Sequence, residues 1–124
     1  MHPAQTVVIV DALNVARSRW PNVPARELIA RCRRWAHDRG HRVLLVFDGR
    51  APGDDSAPDS ACEVIGVHGE TADDWIARRA TELAAAGLPY WLVSSDRELR
   101  RRAGESAAKQ IGGGRFLDQL RIPR

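Results

Sequence analysis

The feature that most constrains the fold is a short apolar, β-branched segment that recurs along the chain and ends at an aspartate. TVVIV precedes Asp11, VLLVF precedes Asp48, and YWLVSS precedes Asp96. Continuous apolar runs of this length are typical of strands that are buried on both faces of a parallel sheet. The sequence therefore predicts a sheet that is covered on both sides.

Helical segments separate these predicted strands. One helix is predicted from Pro24 to about Arg39, and a second from the Thr71 cap to Ala86, with glycines after both. Further predicted elements are strands at 62–67 and 107–111, short helices at 97–103 and 115–120, loops at 14–22 and 49–60, and a glycine hinge at 112–114. Alternating strands and helices predict an α/β fold with a central, mainly parallel sheet of four or five strands and helices on both faces.

Length and composition predict one domain. The chain has 124 residues, which matches the size of a single domain, so we expect one domain over residues 1–124. Cys32 and Cys62 are too few for a disulfide framework and form no CxxC motif, which favours reduced thiols in a cytoplasmic protein. The first residues lack a signal-peptide pattern, and the apolar runs are too short to span a membrane.

The aspartates predict a metal site. Because parallel strands end at the same edge of a sheet, we expect Asp11, Asp48 and Asp96 to lie close together. Asp73 and Asp74 begin the helix after the third strand and belong to the same edge. Clustered carboxylates raise each other's pKa unless cations neutralise them, and oxygen ligands without His or Cys suit one or two Mg²⁺ or Mn²⁺ ions. Such ions support phosphodiester hydrolysis.

Each aspartate taken singly also has a structural explanation. Aspartate is common in turns after strands and is a good residue for helix caps and first turns. The recurrence at three strand ends is what favours the metal site. The aspartates of the predicted 49–60 loop, which are Asp54, Asp55 and Asp59, are interpreted as solvated surface residues.

The basic residues indicate a phosphate-bearing partner. Of 19 basic residues 18 are arginine, against 16 acidic residues, and arginine binds phosphate through two parallel hydrogen bonds. A GC-rich genome would produce the same arginine bias. The arginines expected beside the acidic edge, where they could follow a nucleic-acid backbone or form a solvated face, are Arg17, Arg19, Arg50, Arg97, Arg100, Arg101 and Arg102. Trp20 is predicted to cover the core rather than to stack on a base.

Four sequence blocks resemble one family of nucleases. DALNV at 11–15 resembles the D-x-x-N-V opening of NYN domains, a branch of the PIN-like nucleases, and VFD at 46–48 resembles the end of their second strand. GETAD at 69–73 and LVSSD at 92–96 resemble the matching blocks of YacP-like NYN ribonucleases. A haloacid-dehalogenase-like phosphatase needs a second aspartate at position 13, which is Leu13 here.

The resemblance implies a three-layer PIN-like (Rossmannoid) fold and an endoribonuclease site that depends on Mg²⁺ or Mn²⁺. Asp11 and Asp96 would be metal ligands, Asn14 would orient the substrate or a water, and Asp73 with Asp74 would complete the site, with Asp48 at its edge. The expected partner is RNA, with a ribosome or an RNA-processing protein as a further candidate, for a monomer or homodimer that does not bind membranes. The alternative is a noncatalytic RNA-binding or protein-interaction domain with the same fold.

Overall fold

The computed structural model describes residues 5–52 and 61–123. Asp54, Asp55 and Asp59, predicted as solvated residues, lie outside the described residues, as does most of the predicted 49–60 loop. In the described part of the chain, no helix is long and apolar enough to cross a membrane. Cys32 and Cys62 are both buried.

The predicted α/β architecture is confirmed. Five strands form one fully parallel sheet in the order β3-β2-β1-β4-β5. The strands are β1 Val7–Asp11, β2 Arg42–Asp48, β3 Cys62–Val67, β4 Tyr90–Val93 and β5 Lys109–Ile111. The helices are α1 Ala12–Ala16, α2 Ala25–Arg39, α3 Ala72–Ala85, α4 Arg97–Ala103 and α5 Gly113–Gln119.

Two apolar cores lie on opposite faces of the sheet, because successive strand side chains point to opposite sides. Val8 and Val10 of β1 pack with residues of α1, α2 and α5. Ile9 of the same strand packs on the other side with residues of α3 and α4, including Ile76 and Leu99. Both faces of β1 are therefore covered, which explains why its sequence is apolar without alternation.

The order of the strands positions the functional site. The chain leaves β1 for β2 on one side and later returns to add β4 on the other side. This reversal is a topological switch point, where a crevice opens beyond the carboxyl ends of the strands. Asp11 ends β1, and Asp96 lies just past β4, so they flank that crevice.

Side chains and a glycine at the helix ends form the caps that the sequence suggests. The Thr71 side chain accepts a hydrogen bond from the Asp74 N–H at 3.0 Å and begins α3. Asp96 accepts one from the Leu99 N–H at 3.0 Å and begins α4. Gly40 ends α2 in the left-handed conformation with φ of 68°, which glycine adopts without steric cost.

Two predicted irregular segments are helical instead. Residues 12–16, predicted partly as loop, form α1, and the predicted 112–114 hinge is wrong because Gly113 and Gly114 begin α5. A Cβ atom on Gly113 would lie 2.0 Å from Ser18 Oγ. The glycine therefore allows a close approach between α5 and the chain after α1, and it does not serve as a flexible joint.

The prediction for Trp20 is also wrong. Its side chain is 89% exposed, whereas Trp35 is buried, and Trp75 and Trp91 pack partly against the cores. The residue that returns this segment to the core is Val23, whose N–H donates to the Ala16 carbonyl at 2.9 Å. In this segment it is therefore Val23, and not Trp20, that packs against the core.

Candidate active site

A cleft of about 550 Å³ opens at the carboxyl edge of the sheet, between the ends of β1 and β4. We call it the acidic cleft. The polar side chains that line it and were predicted from sequence are Asp11, Asn14, Arg17, Asp48, Asp73 and Asp96. Segments that are distant in sequence therefore meet at one edge, as parallel topology requires.

Asp11 is the most buried of these carboxylates. Its side chain accepts a hydrogen bond from the Ser94 hydroxyl at 3.0 Å, and only 7% of the residue is exposed. Burial raises the pKa of Asp11 from 3.8 to about 6; the Ser94 hydrogen bond opposes this rise, and the charges of Asp73 and Asp96 add to it. The cleft thus contains negative charge that the protein itself only partly compensates.

Ser94 fixes Asp11 and Asp96 relative to each other. The sequence did not predict this role. Ser94 is fully buried, and its Oγ donates to Asp11 while accepting from the Asp96 N–H at 3.1 Å. Its own N–H donates to the Ile111 carbonyl at 3.0 Å, which continues the sheet toward β5. The signal in the sequence was a serine that directly follows an apolar strand, where a buried hydroxyl needs partners.

Asn14 and Ser95 form a second connection, between α1 and the segment that follows β4. The Asn14 Oδ1 accepts a hydrogen bond from the Ser95 N–H at 2.8 Å, and the Ser95 Oγ accepts one from the Gly113 N–H at 2.8 Å. With Oδ1 accepting, the remaining polar atom of the Asn14 side chain is Nδ2, which only donates. A donor at the wall of the acidic cleft suits a phosphate oxygen or a water.

Asp96 both caps a helix and lines the acidic cleft. The sequence had left open which of these two roles it has. Its Oδ1 caps α4, as described above, and the residue also lines the acidic cleft. The capping bond orients the carboxylate and leaves Oδ2 for other interactions. Capping and a role in the site are therefore compatible for this residue.

The structure separates Asp73 from Asp74. Asp73 lines the acidic cleft, and its pKa is raised by burial and by the charge of Asp96, with Arg102 opposing this and Asp48 adding to it. Asp74 is exposed outside the lining of the cleft and accepts a hydrogen bond from Arg102 at 2.9 Å, which together with Thr71 lowers its pKa. Of the two, the structure brings only Asp73 together with the other aspartates.

The arginines that were predicted beside the acidic edge do not all lie at the acidic cleft. Arg17 lines the acidic cleft, and Arg50 and Arg97 are exposed after β2 and β4. Arg19 pairs with Asp118 and donates to the Ile122 carbonyl at 2.6 Å, so its charge is directed toward the C-terminal segment. On α4, Arg101 pairs with Glu98 at 2.7 Å, Arg102 pairs with Asp74, and the partly buried Arg100 has no hydrogen-bond partner for its Nε among the described residues.

The donor set suits a hydrated divalent ion. The described residues contain no group of three or more His, Cys, Asp or Glu side chains placed to hold a metal ion by themselves. Mg²⁺ usually keeps several waters and takes one or two carboxylates together with substrate phosphate. Asp11, with its raised pKa, and the neighbouring carboxylates of the acidic cleft fit that kind of binding.

The fold and the acidic cleft define a nuclease-related α/β domain. The profile of the YacP-like NYN domain matches residues 8–122, and the chain belongs to this family. A comparison of the sequence with curated proteins gives no match.

Solved structures share the fold. A crystal structure of Rae1 (YacP) from Bacillus subtilis superposes with a TM-score of 0.72 at 22% identity, covering 94% of this chain and 74% of that one. A mutant of the same protein gives a TM-score of 0.73 at 22% identity, with 94% and 76% coverage. A T5 protein co-crystallized with metal ions gives a TM-score of 0.55 at 14% identity, covering 85% of this chain and 53% of that one.

Proposed function

We propose that this protein is a Mg²⁺- or Mn²⁺-dependent endoribonuclease that cleaves single-stranded or loop RNA internally. The observation that carries the proposal is the acidic cleft, where Asp11, Asp48, Asp73 and Asp96 meet at the switch point of a nuclease-family fold. The arginine excess of the chain supports a polyanionic substrate.

Asp11 and Asp96 would hold the ion, with Asp73 and Asp48 as ligands of a second ion or of its waters. When bound, a divalent ion supplies activation of a water and neutralisation of charge at the scissile phosphate. Ser94 fixes the Asp11 carboxylate through its hydroxyl and the Asp96 backbone through the same oxygen. Asn14 would donate from Nδ2 to a phosphate oxygen, and Arg17 would bind an adjacent phosphate at the wall of the acidic cleft.

The positions of His41 and His68 support an ion-dependent route. A ribonuclease that works without metal usually needs a base and an acid that titrate near neutral pH, and histidine is the usual choice. His41 packs between Trp35 and Trp91 at the amino ends of the strands, where burial, Arg39 and Lys109 lower its pKa. His68 is exposed just past β3 and does not line the acidic cleft.

The experiment is cleavage of an end-labelled RNA panel by the wild type, Asp11→Asn and Asp96→Asn, each with Mn²⁺ and with EDTA. We expect internal cleavage by the wild type with Mn²⁺, and strong loss in both variants and in EDTA. Asp38→Asn is the matched control, because Asp38 is exposed on α2, outside the lining of the acidic cleft.

Three results would contradict the proposal. Cleavage that persists in EDTA, or in both variants, indicates a contaminant or another mechanism. RNA binding without cleavage under every metal condition favours the alternative, a noncatalytic RNA-binding domain.

A further inference from the structure

A second groove lies directly beside the acidic cleft. It has a volume of about 580 Å³ and runs between the segment after α1 and the C-terminal residues Ile122 and Pro123. Ser18 and Gly114 line both this groove and the acidic cleft, so the two adjoin. We call it the Trp20 groove, because Trp20 forms part of its wall.

We propose that the Trp20 groove is a nucleobase subsite, in which the indole of Trp20 stacks on an unpaired base of the RNA strand bound at the acidic cleft. This inference rests on the proposed function and adds to it a contact that selects unpaired RNA. Aromatic stacking binds single strands with little sequence preference, since every base has a π-face.

Trp20 is exposed far more than a tryptophan with a purely structural role needs to be. The side chain is 89% exposed, and the other large apolar side chain exposed in the described residues is Leu88, at 49% and at the opposite edge of the sheet. An indole in water gains nothing from folding, whereas tryptophan contributes strongly where a partner covers it. The position of Trp20 beside the acidic cleft indicates that this partner is the substrate.

The segment that carries Trp20 is held in place on both sides. On one side, the Ser18 hydroxyl donates to the Asn14 carbonyl at 2.8 Å. On the other, the Val23 N–H donates to Ala16, and Val23 is buried in the core. Arg19, next to Trp20, is fastened to the C-terminal segment through Ile122 and Asp118. Because the backbone on both sides of Trp20 is already held, a stacking base needs to order only the indole side chain.

Charge favours a base over a phosphate in this groove. Among the described residues that line it, the arginine is Arg19, which is paired with Asp118, and Glu27 contributes a negative charge. The prolines Pro21 and Pro24 add apolar surface. Arg17, by contrast, lines the acidic cleft. The strand would therefore place its backbone at the acidic cleft and an uncharged base at Trp20.

The test measures binding of fluorescein-labelled single-stranded oligouridylate in EDTA, by anisotropy, to the full chain. Trp20→Ala is expected to weaken binding about 10-fold, and Trp20→Phe to retain most of the affinity because phenylalanine still stacks. Leu88→Ala is the control for removal of an exposed apolar side chain and should leave affinity unchanged. Unchanged melting temperatures show that the variants are folded, as expected for exposed positions.

A second measurement isolates the base. Oligouridylates with one abasic nucleotide at successive positions should bind the wild type more weakly at one position near the scissile bond. Trp20→Ala should lose that position-specific penalty, because base and indole act as a pair. Equal affinity of Trp20→Ala and wild type, or the same abasic penalty in both, overturns the inference.

The outcomes also separate this inference from the proposed function. Cleavage with Mn²⁺ combined with no effect of Trp20→Ala overturns the subsite alone. The expected binding effects without cleavage support the subsite and overturn the catalytic proposal. A wild type that binds no RNA and cleaves none with Mn²⁺ overturns both.

Discussion

Removing the charge of Asp11 should stabilise the metal-free protein at neutral and alkaline pH. The folded-state pKa of about 6 lies above the ordinary value of 3.8, so folding disfavours the ionised form. The difference is about 2 pKa units, and at about 1.4 kcal/mol per unit the ionised carboxylate costs at most about 3 kcal/mol of folding free energy.

The sign follows from proton binding. Below pH 3.8 the carboxyl group is protonated in both states, and the cost is absent. Between the two pKa values the folded state binds more protons than the unfolded state, so stability falls as pH rises. Above about pH 6 the full cost is present.

Asp11→Asn keeps the size of the side chain, and the Ser94 hydroxyl can still donate to the amide oxygen. The amide loses the stronger hydrogen bonds that a carboxylate accepts, so we expect a net gain of about 1–2 kcal/mol at pH 8 in EDTA. Urea unfolding, followed by circular dichroism at pH 8 and pH 4, measures this difference in the free energy of unfolding between the variant and the wild type. The gain should shrink at pH 4, where the wild-type group is mostly protonated when folded.

Asp38→Asn serves as the control in the same urea unfolding experiments. Asp38 is exposed, so its substitution should change the free energy of unfolding little at either pH. If Asp11→Asn unfolds the protein or destabilises it at pH 8 in EDTA, Asp11 is a structural turn residue, and the charge argument for the acidic cleft is refuted. Added Mn²⁺ should stabilise the wild type and have much less effect on the variant, since binding to the folded state alone raises stability.

Two further predictions concern the side chains and backbone around the acidic cleft. Ser94→Ala should lower the free energy of unfolding by about 1–3 kcal/mol in urea, because it removes the hydroxyl that donates to Asp11 and accepts from the Asp96 N–H. It should also lower cleavage with Mn²⁺. A variant as stable as the wild type would exclude a positioning role for Ser94. Gly113→Ala should cost about 1–3 kcal/mol through overpacking, since its Cβ would lie 2.0 Å from Ser18 Oγ. Adding Ser18→Ala should restore much of that loss, and a double variant no more stable than Gly113→Ala would contradict the packing argument.

Much of the fold follows from local sequence signals. The apolar runs around Val8 and Leu44 specify strands covered on both faces, and Thr71 and Asp96 specify where two helices begin. These signals act within a few residues, through side-chain burial and capping hydrogen bonds, so they can be read without the tertiary structure. Parallel topology then places the strand-end aspartates at one edge.

The tertiary structure alone decided which neighbouring side chains face that edge. Asp73 and Asp74 are adjacent on α3, and consecutive helical residues point about 100° apart, so the packing of the helix sends one into the acidic cleft and the other to Arg102. The sequence holds no local signal for this choice, because it depends on how α3 and α4 lie on the sheet.

The same reason accounts for the other differences between the sequence predictions and the structure. Trp20 is exposed whereas Val23, three residues later, is buried in the core, and position 113 requires glycine because Ser18 approaches it closely. Arg19 turns to Asp118 because the C-terminal segment lies beside it. Each outcome depends on contacts between segments that are separated along the chain, whose geometry is fixed only when the helices pack against the completed sheet.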